Sequence, residues 1–315
     1  MPTPRALTTG ALGVATLLLA AGCTGGAGGA GGAEDDRLAV LASFYPLQYV
    51  VEHVGGDLVA VSSLTPPGAE PHDVELSPSQ VRAVGEADVV VYLSGFQAAV
   101  DDAVAARTPE HLVDAARTTA VAEHLGEADE PADDDPAADG HDHEGGDPHF
   151  WLDPTLLAAL APDVAAALAQ ADPAHADAYT AGAEALLRDL TALDEELATG
   201  LADCDQSVIV TAHTAFGYLT ERYGLEQVGL SGLDPEAEPS PARLREIRDV
   251  VAASGVTTVF TEALVSPKVA ETLAADLGIT TAVLDPVESQ VDPEVDYREA
   301  MERNLVALRA ALGCS

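Results

Sequence analysis

The sequence predicts an α/β protein of two lobes, each a mainly parallel sheet flanked by helices, with one long rigid helix joining them. Three observations carry this expectation. Short β-rich runs alternate with helical segments, the pattern of parallel sheets covered by helices. The alternation occurs twice along the chain. Between the two series lies a proline-free stretch, 174–203, in which Ala183, Leu186, Leu187, Leu190, Leu193, Leu197 and Leu201 recur at helical spacing.

The first lobe is expected over 38–172, with strands in LAVLASF (38–44), LVAVSSL (58–64) and DVVVYLS (88–94). The segment SPSQVRAVGEA, with Pro78 near its start, reads as the helix between the last two. The connecting helix, over 173–203, has about 28 residues and a length of roughly 40 Å at 1.5 Å per residue. Gly182 and Gly200 weaken it slightly. A spacer this stiff argues against wide hinge closure. The second lobe, 204–315, repeats the style with SVIVTA (207–212), TTVFTE (257–262) and TAVLD (281–285), separated by helical segments such as SPARLREIRDVVAASG.

Three segments stand outside the lobes. Residues 1–22 carry one basic residue, Arg5, then an apolar run from Ala11 to Ala21. The run is too short to span a bilayer, which takes about 20 apolar residues, and it has the layout of an export signal. Cys23, directly after LAAG, resembles the lipidated cysteine of the bacterial lipobox; the other reading is an ordinary export signal with an incidental cysteine. Residues 23–37 are a Gly-rich tether of the kind that holds a domain off a membrane. Residues 126–147, GEADEPADDDPAADGHDHEGGD, are acidic and almost free of apolar side chains, so they are expected to be a disordered loop inserted in the first lobe.

The charge balance is one-sided: 14 Lys and Arg against 53 Asp and Glu, a formal net of −39. Such a surface repels nucleic acid and attracts cations, although solubility alone also explains it. With aromatics at 4% of residues, the core must be mostly Ala, Val and Leu. Beyond Cys23 there remain Cys204 and Cys314. In an oxidising compartment they are expected to form a disulfide, worth roughly 4–5 kcal/mol in the chain-entropy model; two buried free thiols are the alternative.

Of nine histidines, His53, His111, His124 and His175 lie in ordinary helical or loop contexts. His72 sits in a Pro/Gly loop after a predicted strand. His149, in DPHFWLDP, is bracketed by prolines, and Phe150 and Trp151 should anchor its backbone in the core. His213 and Asp285 each fall at the carboxyl end of a strand, where open α/β sheets bind ligands. Three imidazoles and a carboxylate suit Zn2+ and also other first-row divalent ions. No local motif links the four positions, so spacing alone is a weak signal.

The blocks ASFYPLQYVVEHVGGD, PPGAEPHDVELSPSQV, ADVVVYLSG, DPHFWLDP, DPAHADAYTAGAEALLRDLTALDEEL, IVTAHTAFGYLTERYGL and VFTEALVSPKVAETLAADLGI, taken in order, resemble the metal-binding solute receptors of ABC transporters. The similarity is to the zinc-uptake, ZnuA-like branch of the TroA-like fold family (cluster A-I), and it runs from about Leu38 to Arg309. It implies two α/β lobes joined by one helix, with a metal ion in the cleft between them. It implies His72, His149, His213 and Asp285 as ligands, and Glu262 as a support to a ligand or to lobe packing. A histidine at position 213 goes with zinc in this family, and a glutamate there with manganese.

The resemblance also implies a lipid-anchored, monomeric, extracytoplasmic receptor that captures Zn2+ for an ABC permease and its ATPase, with no enzymatic chemistry. Zinc-branch relatives often carry a His- and acid-rich loop at the insert, so His141 and His143 are accessory metal capture at most, and a solvated linker is the plain alternative. Some relatives are described as adhesins. A manganese receptor and, from another class, a zinc hydrolase are the competing functions; no HExxH, nucleophile elbow or phosphate loop supports the latter. Because imidazole binds metal only when neutral, affinity is expected to fall below about pH 6.5.

Overall fold

Two four-stranded parallel sheets with the same strand order organise the chain, in a computed structural model that describes residues 37–127 and 146–315. Cys23, His141 and His143, with the leader, the tether and most of the acidic insert, lie outside the described residues. In the first lobe β1 (Leu38–Ala42) is followed by α1 (Tyr45–Gly55) and β2 (Val59–Ser63), then α2 (Pro78–Glu86), β3 (Val89–Tyr92), α3 (Ala98–Arg107), β4 (Leu112–Asp114) and α4 (Thr119–Glu127). The strands lie in the order β2-β1-β3-β4, all parallel. A parallel strand covered on both faces reads as an unbroken apolar run rather than an alternation, and Val89–Tyr92 is buried at every position. Ser77 starts α2 with a capping box, its hydroxyl accepting from Gln80 N while the Gln80 amide accepts from Ser77 N.

After His149 a short 3-10 turn, Phe150–Leu152, leads into α5 (Pro154–Ala158) and α6 (Ala161–Ala171). The long helix follows as α7 (Ala176–Leu201), 26 residues. The second lobe then runs β5 (Val208–Thr211), α8 (Gly217–Tyr223), β6 (Glu226–Gly229), α9 (Pro241–Ser254), β7 (Thr258–Thr261), α10 (Lys268–Leu277), β8 (Thr280–Val283) and α11 (Tyr297–Leu312), with strand order β6-β5-β7-β8. Strands β4 and β6 escape the sequence reading. One has three residues and the other, EQVG, has a single large apolar side chain, so neither carries a pattern; each pairs in parallel with a more apolar neighbour, β3 or β5.

Helix α7 is less a free spacer than a shared beam. It packs against α1, α5 and α6 of the first lobe and against α11 of the second. Tyr179, Ala183, Leu186, Leu190, Leu193, Leu197 and Leu201 form its buried stripe, each fully buried leucine contributing about 1.5–3 kcal/mol. Leu187 falls outside the stripe and is 47% exposed. Gly182 is required rather than merely tolerated, because a Cβ there would come within 2.3 Å of the Val54 carbonyl oxygen at the end of α1. One continuous apolar core runs from Val40 and Trp151 through α7 to Tyr297 and Leu312, so the lobes share a core. Cys204 and Cys314 form a disulfide that ties the segment after α7 to the end of α11.

Candidate metal centre

Each lobe sends two side chains to one point between the lobes. His72 lies in the loop that follows β2, and His149 immediately precedes the Phe150–Leu152 turn. His213 comes two residues after β5, and Glu288 lies in the loop after β8. In the second sheet β5 has β6 on one side and β7 on the other, so the crevice beyond the β5 and β7 carboxyl ends is the place where such sheets take ligands. One donor atom from each of His72, His149, His213 and Glu288 lies within 4.8 Å of all the others.

The Nε2 atoms of His72 and His149 are 3.3 Å apart, and those of His149 and His213 are 3.5 Å apart. Glu288 Oε1 lies 3.1 Å from His149 Nε2 and 3.5 Å from each of the other two. That oxygen is buried and has no hydrogen-bond partner. Buried carboxylate oxygens are normally satisfied, and an orphan facing three imidazole nitrogens is the arrangement a divalent cation resolves.

The outer nitrogens fix the rings. His149 Nδ1 donates to Asp147 Oδ1 at 2.6 Å, which also accepts from the His149 backbone N–H at 3.0 Å. His213 Nδ1 donates to Glu262 Oε2 at 2.7 Å, while Glu262 Oε1 accepts from His213 N at 3.2 Å. A carboxylate on Nδ1 leaves Nε2 as the metal-facing lone pair and raises its basicity. Glu262 therefore orients a ring rather than joining the cluster. Gly217, at the start of α8, leaves room for Asp147: a Cβ there would come within 2.6 Å of its Oδ2. His72 is held differently, with its ring edge-on to Phe96 at 4.8 Å and its backbone N–H donating to Glu70 Oε1 at 3.0 Å. Gln97, buried behind it, donates to the Pro71 carbonyl and to Thr65 Oγ1, both at 3.0 Å.

The electrostatics follow from this frame. Burial alone would lower the His213 pKa, but Glu262 and Glu288 outweigh it and raise it to about 10. His149 is raised in the same way, burial being overcome by Asp147 and then Glu288. Burial pushes the Glu288 carboxyl up, but the three imidazoles facing it hold it well below the usual carboxylate range. These shifts place any competition between proton and metal at a higher pH than the value of about 6.5 for unperturbed histidines.

The structure places the carboxylate of Asp285 elsewhere. Its Oδ1 accepts from Val287 N at 2.8 Å, so the side chain closes the turn, and it is not among the four side chains whose donor atoms converge. The fourth side chain is Glu288, three residues on in LDPVES. The sequence offers two carboxylates after the same strand and no periodicity to choose between them. Asp147, in DPH, was also missed, although an aspartate two residues before a histidine is a spacing at which a side chain can reach the backbone N–H.

Residues 40–311 match the family model described as zinc-uptake complex component A, periplasmic. The chain is similar to the zinc-binding lipoprotein AdcA of Streptococcus pneumoniae, 34% identical over 280 residues that make up 87% of this chain and 56% of that protein. It thus spans little more than half the length of that relative. It is 31% identical over 287 residues to the high-affinity zinc uptake system protein ZnuA of Bacillus subtilis, covering 89% of each. Among solved structures, the laminin binding protein Lmb of Streptococcus agalactiae, described as a bifunctional protein with adhesin and metal transporting activity, matches with a TM-score of 0.74. Its identity is 34%, over 87% of this chain and 99% of that one. A Zn(II)-bound variant of AdcAII from Streptococcus pneumoniae matches with a TM-score of 0.73 at 31% identity, over 88% of this chain and 99% of that one.

Proposed function

Because the chain belongs to the zinc-uptake complex component A family, we propose that it is an extracytoplasmic receptor that captures Zn2+ and delivers it to an ABC permease for uptake. The observation that carries this reading is the convergence of three imidazole Nε2 atoms and Glu288 Oε1 at the lobe junction. Three nitrogens and one carboxylate oxygen suit zinc's tetrahedral preference better than the oxygen-rich shell that manganese favours. Four protein donors also leave no open position for an activated water, which favours capture over hydrolysis.

Binding then consists of exchange without covalent chemistry. Hydrated Zn2+ sheds its waters as His149 and His213, pre-oriented by Asp147 and Glu262, give up their Nε2 protons. His72, with a side chain 7% exposed against 0% and 1% for the other two histidines, is the donor nearest solvent and the one through which the ion enters and leaves. Trp151 Nε1 donates to the Pro286 carbonyl at 2.8 Å, and the Tyr297 hydroxyl donates to the Trp151 carbonyl at 2.5 Å. These ties and the shared core support release by loop movement rather than by wide parting of the lobes. Cys23 would carry the lipid anchor, and a monomer fits this role.

The test is a competition titration of Zn2+ against Mn2+ on the chain from residue 23 onward, with and without 126–147. Tight one-to-one zinc binding that survives the deletion supports the reading. Manganese binding as tight as zinc overturns the metal assignment, and loss of tight binding with the deletion moves the site into the insert.

A further inference from the structure

Glu288 reaches the three imidazoles from a turn that lies outside any strand or helix. Val287, beside it, has φ +56°, in the left-handed region that β-branched residues rarely adopt. Such a conformer persists only where its surroundings over-determine it. Here one side chain grips the turn at both ends of a single residue. Asn304, on α11 and 2% exposed, accepts from Asp285 N through Oδ1 at 2.8 Å and donates to the Asp285 carbonyl through Nδ2 at 2.6 Å. Asp285 Oδ1 in turn accepts from Val287 N at 2.8 Å. Beyond Glu288, Ser289 Oγ accepts from Gly68 N at 2.8 Å, in the loop that carries His72.

The buried face of α11 is otherwise Tyr297, Ala300, Met301, Leu308 and Leu312. An apolar residue at 304 would suit that face at least as well, so packing does not explain the asparagine. A carboxamide offers donor and acceptor at one tip, as pairing with both backbone groups of Asp285 requires.

We propose that Asn304 is a positioning residue of the metal site: by gripping both backbone groups of Asp285 it holds the Val287 conformer, and with it Glu288 Oε1, among the three imidazoles. The inference rests on the zinc-receptor reading and deepens it. Asn304 touches no donor atom of the cluster and acts through the turn alone. The coordination of a bound ion, and not only the stability of the fold, then depends on a side chain from the last helix.

The experiment uses the mature chain from residue 23 with Zn2+ for affinity and Co2+ as a spectroscopic probe. Asn304→Leu, close in shape, is expected to weaken zinc by about 10–100-fold, the usual loss when the support of a ligand is removed. The visible spectrum of its Co2+ complex should change as Glu288 leaves the shell, an effect that a merely structural role would not produce. Adding Val287→Gly, which adopts the same φ without strain, should restore affinity to within about threefold of wild type. Should Asn304→Leu not fold, Asn304→Asp keeps the acceptor and loses the donor, and is read by the same two signals. Wild-type affinity with an unchanged cobalt spectrum in the single variant overturns the proposal, as does a double variant no tighter than the single. Absence of tight zinc binding by wild type would sink the receptor reading and this inference together.

Discussion

Glu288 and Asp285 stand three residues apart after the same strand, and substituting each separately by its amide shows which of them the metal uses. Glu288→Gln removes the formal negative charge from the four converging donors while keeping the side-chain volume. At a zinc–oxygen distance of about 2.1 Å, charges of +2 and −1 attract by about 4 kcal/mol even at the dielectric constant of water, or about a thousandfold in affinity. The same substitution also removes one of the carboxylates that hold His213 protonated. Less work is then needed to deprotonate that ring at neutral pH, so the net loss should lie nearer a hundredfold to a thousandfold. Asp285→Asn keeps an oxygen able to accept from Val287 N, and it removes a charge that burial already disfavours. Its affinity should stay within about threefold of wild type. The assay is competition against a fluorescent zinc chelator at neutral pH, with folding checked by circular dichroism. The reverse order, a collapse with Asp285→Asn and a mild effect with Glu288→Gln, would refute the placement of the two side chains.

Zinc affinity should rise steadily from mildly acidic to alkaline pH. His213, raised to about 10, stabilises the metal-free fold fully below its unfolded value of about 6.5 and loses that contribution as pH rises through the folded value. The difference in Tm between zinc-loaded and metal-free protein should therefore widen with pH, and a constant difference in scanning fluorimetry would contradict this. Replacing Cys204 and Cys314 by serine opens a loop spanning 110 residues, and guanidinium unfolding should show a loss of about 4–5 kcal/mol; an unchanged midpoint would rule the entropic account out. Gly182→Ala drives a methyl to within 2.3 Å of a backbone oxygen of α1, so unfolding should report about 1–3 kcal/mol of overpacking. Gly217→Ala encroaches on Asp147 Oδ2 at 2.6 Å, and should weaken zinc about 10–100-fold through His149 while changing stability little; unaltered affinity would show that Asp147 does not orient the ring.

Local chemistry made some of these features readable in advance. The alternation of apolar strands with capped helices marks both lobes because a strand buried on two faces must be apolar throughout, as Val89–Tyr92 is. The stripe on α7 is legible for the same reason at helical period, with Leu187 the one position misplaced. His149 could be picked out because prolines and three fully buried residues, Phe150, Trp151 and Leu152, leave its backbone little freedom. Short strands escape, since β4 and β6 carry too few apolar positions for a pattern and pair with the more apolar β3 and β5.

What the sequence by itself determined is the set of parts: two α/β lobes, one long helix and three histidines in loops. These depend on periodicity, on proline and on side-chain chemistry, all of which act within a few residues. Only the tertiary structure decided which carboxylate meets the histidines. The turn from Asp285 to Glu288 is hydrogen-bonded by Asn304 on the last helix and by Trp151 from the other lobe, and Val287 within it has a conformer that β-branched side chains disfavour. Contacts from distant segments outweigh that preference, and they become visible only when the chain is folded.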